Sequence, residues 1–358
     1  MPARHRQILR FFSIRRIAIP IVIGLTVATL LFIRDFDREV LKAIEWARYP
    51  ALWFLLVILL IAMRDLAYMY RIRLLTDGDL SWKRSFQVIM LWEFASSITP
   101  SIVGGSAVAL FVVRKEGINM GRTTAVVMTT ALLDELFYII MVPIVILIAG
   151  TGNLFISEPS FVIAGLKISS KGVFIIGYLF ILLLTSIILF GVFFNPAKIK
   201  QLLISIFRLR LLRRWLPAAE QTGDELIVTS KEMKSKSVSF WLKAYLATVM
   251  SWTARFWVVN TLIMAFTPVS DHFLIYARQL IMWVILLISP TPGGTGVAEY
   301  FFPIFLGEFI GPALSTPLAI LWRLISYYPY IFIGVLVLPV WFRRVYFGNR
   351  RSIRFRKT

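Results

Sequence analysis

Long apolar segments alternate with short charged connections along the whole of this chain. Uninterrupted apolar segments lie at about residues 17–33, 50–69, 123–149, 172–194, 241–267 and 315–341. A helix needs about 20 apolar residues to cross the hydrocarbon core of a bilayer, and these segments approach or exceed that length. The pattern therefore predicts an all-α, polytopic integral membrane protein with about six full spans.

Two further apolar segments are interrupted by proline and glycine. Residues 85–113 contain ITPSIVGGSA, and residues 273–310 contain ISPTPGGTGVAE. Proline removes a helical hydrogen bond and glycine permits positive φ, so each motif is expected to end one half-helix and to begin another. Each half is about 14–16 residues long, which is short for a span of about 20 residues.

The charges of the connecting loops predict how the interrupted segments enter the membrane. Basic loops stay on the cytoplasmic side, and the loops 71–84 and 114–122 are both basic. Because these loops flank 85–113, that segment is expected to enter and return on one side as a re-entrant hairpin. The basic C-terminal tail then requires 273–310 to form a second re-entrant hairpin, entered from outside. The alternative is that both motifs are ordinary loops between full spans.

The predicted spans and hairpins form two units of opposite orientation within a single membrane domain. Repeat one covers about 50–149 and repeat two about 241–341; a cytoplasmic amphipathic segment lies at about 195–240 and a basic tail at 342–358. Inverted repeats with paired broken helices are typical of secondary transporters, whose binding sites lie near the bilayer midplane. The arrangement therefore indicates transport.

Composition restricts the class of partner. The chain is 58% hydrophobic, has a net charge of +20 and contains no cysteine. Its basic residues cluster in loops and tails, which favours anionic lipid headgroups over nucleic acid as partners. With two histidines and no cysteine, the sequence has no pattern for a metal site, a cofactor or a thiol nucleophile, and we expect none of them.

Charged residues within apolar segments are costly in a membrane and are usually functional. The principal candidates are Glu93, Asp134, Arg255, Glu299 and Arg323. Arg255 or Arg323 is expected to pair with Glu299, and purely structural ion pairs are the alternative for each residue. Asp134 and Glu135 lie about 100° apart on a helix, so only one is expected to face the interior. Arg64 and Asp65 lie nearer a helix end and are expected to be interfacial.

The two motifs also offer backbone groups for binding. The candidates are Pro100, Gly104, Gly105 and Ser106 in the first motif, and Pro290, Pro292, Gly293, Gly294 and Gly296 in the second. A half-helix that begins after such a turn directs free amide groups and its positive dipole end at the turn, which suits a phosphate. Packing through small residues is the alternative. Tyr327 lies four residues after Arg323 on the same helical face and is expected to share its partner.

Several stretches together resemble one family of membrane proteins. They are PTPGGTGVAE, LWRLISYYPYIFIGVLV and PSIVGGSAVALFVVRKEGINMGRTTAVVMTTALLDELF. They resemble the lysylphosphatidylglycerol synthase transmembrane-region family, which includes the flippase module of the multiple peptide resistance factors. The resemblance implies a lipid flippase and carries over Asp134, Glu299 and Arg323, with the prolines and glycines of the second motif, as site residues. The family pattern has an arginine one turn before the aspartate, where this chain has Ala131.

We therefore expect a protein of the bacterial inner membrane, with both termini cytoplasmic, that moves a phospholipid or polyprenyl-phosphate lipid between leaflets. The short tail has no room for the soluble domain that synthesises lysylphosphatidylglycerol, so a transporter is favoured over an enzyme. An integral-membrane transferase acting on a lipid headgroup, or a scaffold for envelope enzymes, is the alternative. The identity of the lipid, the direction of movement and the oligomeric state are left open by the sequence.

Overall fold

The computed structural model describes residues 49–99, 101–155, 160–163, 166–209, 213, 216–287 and 291–347. The predicted first span and most of the predicted basic tail lie outside these residues. Within them the chain is helical apart from one antiparallel pair of four-residue strands, β1 (Ser160–Ile163) and β2 (Leu166–Ser169). The predicted all-α membrane class is confirmed.

The helices follow one another with short connections. The first half contains α1 (Pro50–Leu75), α2 (Trp82–Ile98), α3 (Ser101–Lys115), α4 (Met120–Ala149), α5 (Thr151–Leu154) and α6 (Ser170–Ile188), which continues as a π-helix over Leu189–Phe194. The second half contains α7 (Pro196–Phe207), α8 (Leu216–Lys234), α9 (Val238–Met264), α10 (His272–Leu287), α11 (Val297–Ile310), α12 (Pro312–Ser326) and α13 (Tyr328–Phe347).

Four described helical segments are long and apolar enough to cross a membrane. They are Pro50–Leu75, Met120–Ala149, Ser170–Phe194 and Leu314–Tyr346. They match the predicted spans at 50–69, 123–149, 172–194 and 315–341, although the last is divided at Tyr327 into α12 and α13. Helix α9 lies at the remaining predicted span and has 27 residues, but Arg255 and Asn260 interrupt its apolar sequence.

Side-chain caps fix where three of the helices begin. The hydroxyl of Ser81 accepts from the amide of Arg84 before α2, and Asn119 accepts from Arg122 before α4. Ser237 caps α9 in the same way. Such caps satisfy amide groups that have no partner within the helix and stabilise it by about 1 kcal/mol. The caps at Ser81 and Asn119 end the loops on either side of the first interrupted segment.

The helices of the two predicted repeats pack in matching pairs. Helix α1 lies along α9, and this is the most extensive contact between described helices. Helix α2 packs on α3, as α10 packs on α11; across the halves, α2 packs on α13 and α10 packs on α4. The first helix of each interrupted segment therefore contacts the last long helix of the other predicted repeat.

Two large apolar clusters hold this arrangement together. One includes Phe137, Phe256 and Phe302, and the other includes Leu91 and Trp341. Each cluster combines residues from both halves of the chain. Within a bilayer such side chains stabilise helix association through close packing rather than through transfer from water, and each cluster joins helices that lie far apart in sequence.

The predicted amphipathic segment at 195–240 forms helices α7 and α8, which pack against each other. None of the residues of α7 is buried, and its Leu202 and Ile206 are exposed. Helix α8 packs on α4, where the carboxylate of Glu225 accepts from the amide of Gly121 at 2.8 Å. This contact attaches the helix pair to the start of α4.

Candidate functional site

Helices from both halves of the chain enclose a cavity of about 310 Å³. The predicted site residues that line it are Glu93, Ser106, Asp134, Arg255, Gly293, Gly294, Arg323 and Tyr327. They come from the two interrupted segments, from α4, α9 and α12, and from the break between α12 and α13. The structure thus brings together in one cavity candidates that the sequence spreads over more than two hundred positions.

Glu93 lies at the centre of an ion-pair cluster on one wall. Its Oε1 lies 2.5 Å from Nη2 of Arg64 and 3.5 Å from Nη2 of Arg255. Arg64 also pairs with Asp65 at 3.0 Å, and the hydroxyl of Tyr330 donates to Asp65 at 2.9 Å. Arg64 was expected to be interfacial; α9 and α2 pack around this part of α1, leave the residue 4% exposed and place it on the wall of the cavity.

Asp134 is held by groups from two other helices. Arg71 donates from Nη1 and Nη2 to its two carboxylate oxygens at 2.6 and 3.0 Å. The indole of Trp252 donates to Oδ1 at 2.9 Å. The family pattern has an arginine at the place of Ala131, and here Arg71 of α1 supplies the ion pair from a neighbouring helix. The sequence placed Arg71 in a predicted loop at 71–84, whereas the structure places it in α1, which continues to Leu75.

Spacing along α1 was the signal that could have identified these basic residues. Arg64, Tyr68 and Arg71 follow one another at intervals of four and three, which places them on one helical face. All three line the cavity. The guanidinium groups of Arg64 and Arg71 also lie 5.2 and 4.8 Å from the ring centroid of Tyr68. This face of α1 was not among the predicted site residues.

Among the arginines that line the cavity, Arg255 has the weakest ion-pair contact with a carboxylate. Its guanidinium lies 4.7 Å from the ring centroid of Trp252 and 5.2 Å from that of Trp283, which restricts its orientation. Its Nε has no hydrogen-bond partner among the described residues. Its contact with Glu93 is 3.5 Å long, so this arginine retains donors that can bind an anion.

The second motif forms the turn that the sequence predicted. Gly293, Gly294 and Gly296 have φ values of 57°, 68° and 81°. Residues other than glycine rarely adopt such positive values. Helix α11 begins directly after them at Val297. Pro292 lies in the same turn, where its carbonyl accepts from the amide of Thr295 at 3.1 Å. Pro290 lies outside the described residues.

Glu299 forms a buried ion pair with Arg323, which is one of the two partners that the sequence left open for it. Arg323 Nε donates to Glu299 Oε1 at 3.1 Å, and Nη2 donates to the carbonyl of Gly293 at 3.0 Å. The other carboxylate oxygen of Glu299 accepts from the amide of Gly296 at 2.7 Å. Glu299 is 1% exposed. Through its bond to the Gly296 amide, the carboxylate occupies the N-terminus of α11, where a phosphate was expected.

Tyr327 joins the two interrupted segments. Its hydroxyl donates to the carbonyl of Ser97 at 2.7 Å and lies 3.2 Å from the hydroxyl of Thr295. Tyr327 was expected to share the partner of Arg323, but its hydroxyl bonds to Ser97 and Thr295 whereas Arg323 bonds to Glu299 and the carbonyl of Gly293. The two side chains instead contact each other, with Arg323 3.7 Å above the ring of Tyr327. A Cβ on Gly293 would lie only 2.4 Å from the Tyr327 ring, so the turn packs directly on this side chain.

The first motif differs from the predicted turn. Helix α3 already begins at Ser101, so Gly104, Gly105 and Ser106 lie within the helix rather than before it. A Cβ on Gly105 would lie 2.1 Å from Oγ of Ser96, which makes this glycine a site of close contact between α2 and α3. Ser106 lines the cavity, and Pro100 lies outside the described residues.

Asp134 and Glu135 both line the cavity. The expectation that only one of them faces the interior is therefore wrong. Other helices pack around α4 on several sides. Both Asp134 and Glu135 therefore face neighbouring helices of the protein. Among the described residues, no group of three or more histidine, aspartate or glutamate side chains is placed to hold a metal ion.

Comparison with known proteins agrees with the resemblance noted in the sequence. The pattern of the lysylphosphatidylglycerol synthase TM region matches residues 17–334. A UPF0104 membrane protein from Archaeoglobus fulgidus is 25% identical over 329 residues, which cover 89% of this chain and 94% of the relative. No solved structure matches the chain. The family match extends over most of the sequence, and the chain therefore belongs to the lysylphosphatidylglycerol synthase transmembrane-region family.

Proposed function

We propose that this protein moves a phosphate-bearing lipid across the inner membrane by passing the headgroup through the cavity while the acyl chains stay in the bilayer. The observation that carries the proposal is a cavity of about 310 Å³ lined by Arg64, Arg71, Arg255 and Arg323 together with three acidic residues. Small-molecule sites have volumes of about 300–1,000 Å³, so this space suits a headgroup. The substrate is a phospholipid or a polyprenyl-phosphate lipid.

The position of the charges along their helices supports a site at membrane depth. Arg64 lies near the middle of α1, as Asp134 does in α4, and Arg255 lies well inside α9. Charged side chains at such depth are costly and are typical of substrate pathways. Their convergence on one cavity supports transport of a polar group.

The helix lengths and packing support two re-entrant hairpins in an inverted repeat. Helices α2, α3, α10 and α11 have 17, 15, 16 and 14 residues. At about 1.5 Å per residue they are shorter than a hydrocarbon core of about 30 Å. The matching contacts α2 to α13 and α10 to α4 are those expected when one half repeats the other. Both termini are then cytoplasmic, and the basic α7 lies against anionic lipid.

Arg255 is the residue that we assign to the lipid phosphate. The carboxylate of Glu299 already caps the start of α11, so the turn of the second motif offers less to an anion than the sequence indicated. Arg255 keeps an unpartnered Nε and is held between Trp252 and Trp283. Arginine binds phosphate through paired, charge-assisted hydrogen bonds.

Vesicles reconstituted with the purified protein and a fluorescent phospholipid test the proposal. The wild-type protein is expected to expose inner-leaflet label to a membrane-impermeant quencher. Arg255→Gln loses a charged hydrogen bond worth about 1.5–3 kcal/mol, so movement should slow by about tenfold to a hundredfold. Arg343→Gln, a matched change at an exposed position, should move lipid at the wild-type rate.

Two results would count against lipid transport. Equal rates in wild-type vesicles and in vesicles without protein would overturn the function, and a wild-type rate in Arg255→Gln would overturn the site. Chemical analysis of the lipid after the assay addresses the alternative of a transferase. A changed headgroup in the presence of a donor would favour the enzyme over the transporter.

A further inference from the structure

Helix α4 presents three buried polar atoms without partners on the wall of the cavity. They are Oγ1 of Thr130, Oε2 of Glu135 and the hydroxyl oxygen of Tyr138, none of which has a hydrogen-bond partner among the described residues. The three residues are 6%, 5% and 1% exposed, and all line the cavity. Buried polar atoms in native proteins are nearly always satisfied, so this face of α4 is built to meet a polar species in the cavity.

Glu135 differs from the other acidic residues of the site. Glu93 is paired with Arg64 and Arg255, Asp134 with Arg71, and Glu299 with Arg323. These pairs balance the carboxylate charges. Glu135 forms no ion pair within the described part of the chain, although it lies next to Asp134 in the sequence.

A carboxylate in this position needs a compensating positive charge or a proton. An unpaired buried charge costs several kcal/mol, and the neutral acid avoids that cost. A metal cation needs several oxygen ligands, and no cluster of three acidic or histidine side chains is present within the described residues. A proton requires only the one unpartnered oxygen of Glu135.

The groups around Glu135 make its charge sensitive to the contents of the cavity. Besides Glu135, the titratable and charged residues that line this cavity are Asp134 and Tyr138 of α4, Arg64, Tyr68 and Arg71 of α1, Glu93 of α2, Arg255 of α9, and Arg323, Tyr327 and Tyr330 around the break between α12 and α13. Ser106 of α3 and Trp283 of α10 also line the cavity, and neither side chain carries a charge. An anionic phosphate held by Arg255 would repel a carboxylate at Glu135, so anion binding and proton binding favour each other. Such linkage is reciprocal.

We propose that Glu135 is the proton-binding site of a proton-coupled lipid transporter, and this inference rests on the proposed function. One proton from water on the side of higher proton concentration binds Oε2 when the anionic headgroup enters the cavity. When the headgroup leaves on the other side, the O–H bond breaks and the proton returns to water there. Proton and anionic headgroup therefore cross together, and no other bond changes.

Carbodiimide labelling of the purified wild-type protein tests the proton site without any measurement of transport. Dicyclohexylcarbodiimide adds to protonated carboxyl groups in apolar surroundings, and peptide mass spectrometry locates the adduct. Glu135 should be modified, less so as the pH is raised, whereas Glu93, Asp134 and Glu299 should stay unmodified because each is engaged in an ion pair with an arginine. An unmodified Glu135 in slightly acidic buffer would overturn the proposal.

A pH gradient imposed on reconstituted vesicles tests the coupling. In vesicles with the wild-type protein, the gradient should concentrate an anionic phospholipid analogue in one leaflet, at least severalfold over the other leaflet. Glu135→Gln imitates the neutral acid in shape, and the lipid distribution in its vesicles should be the same with and without the gradient. Glu220→Gln, the same change at an exposed position of α8, should respond as the wild type does.

The outcomes separate the coupling from the proposed function. If wild-type vesicles move lipid but the lipid distribution does not change with the pH gradient, the coupling is overturned and the proposal of lipid transport is unaffected. A gradient response retained in Glu135→Gln would overturn the assignment to this residue. If the wild type moves no lipid, the proposed function fails, and the labelling result alone then decides whether Glu135 binds a proton.

Discussion

The hydroxyl of Tyr327 donates to the backbone carbonyl of Ser97 across 2.7 Å. Ser97 lies in the last turn of α2, and Tyr327 lies in the break between α12 and α13. The same hydroxyl reaches Thr295 in the glycine turn before α11 at 3.2 Å. One side chain therefore connects three interruptions of helical structure, each from a different part of the sequence.

Replacement of Tyr327 by phenylalanine should loosen this connection. The variant leaves the carbonyl of Ser97 without its side-chain donor, and an unsatisfied buried group costs about 1–3 kcal/mol. We expect a lower thermal unfolding temperature in detergent. Tyr300→Phe removes a hydroxyl from an exposed tyrosine and should leave the unfolding temperature unchanged. Equal stability of the two variants would show that the Tyr327 bond contributes nothing.

The glycine turn offers a matched pair of substitutions. Gly293 and Gly294 both have positive φ, so alanine at either position is strained by about 1–2 kcal/mol. A Cβ at Gly293 also meets the Tyr327 ring at 2.4 Å, whereas a Cβ at Gly294 meets no atom within 4 Å. Gly293→Ala should therefore lower the unfolding temperature more than Gly294→Ala does. The reverse order would contradict the packing of Tyr327 on this turn.

The pair of Arg71 and Asp134 can be tested by moving the arginine. Arg71→Ala leaves Asp134 without its ion pair, and the loss of one partner of a buried pair costs about 3–5 kcal/mol. Ala131→Arg places a guanidinium one turn before the aspartate, where residues three apart on a helix are neighbours. The double variant should recover part of the unfolding free energy. Denaturant titration measures it, and no recovery would indicate that residue 131 cannot replace Arg71.

Replacement of Glu299 by glutamine should destabilise the second interrupted segment. The variant leaves the buried Arg323 without its counter-charge and weakens the bond to the amide of Gly296. We expect a loss of about 3–5 kcal/mol in the free energy of unfolding, measured by denaturant titration. Glu308→Gln removes the partner of Arg278 at a more exposed site and should cost much less. Similar losses in both variants would mean that burial of the Glu299 pair adds nothing.

Local features of the sequence determined the class of the protein and the interruption of its helices. Apolar length predicts a membrane helix wherever it occurs, and glycine and proline interrupt a helix through their own backbone chemistry. The turn before α11 and the pair of Glu299 with Arg323 were predicted for this reason, since both depend on residues close in sequence or on a small choice of partners. The first motif was less predictable because its glycines also fit inside a helix, where Gly105 packs on Ser96.

Only the tertiary structure decided which charges meet and which remain unpaired. Arg71 pairs with Asp134, and Arg64 and Arg255 pair with Glu93, each between two different helices. Nothing in the spacing of α1, α4 and α9 fixes how they face one another, because that depends on how their apolar surfaces pack. The same packing leaves Glu135 enclosed and unpaired beside an aspartate that is fully engaged. The sequence showed which residues in the membrane helices are charged. The fold decided which of them are paired and which are free to bind a substrate or a proton.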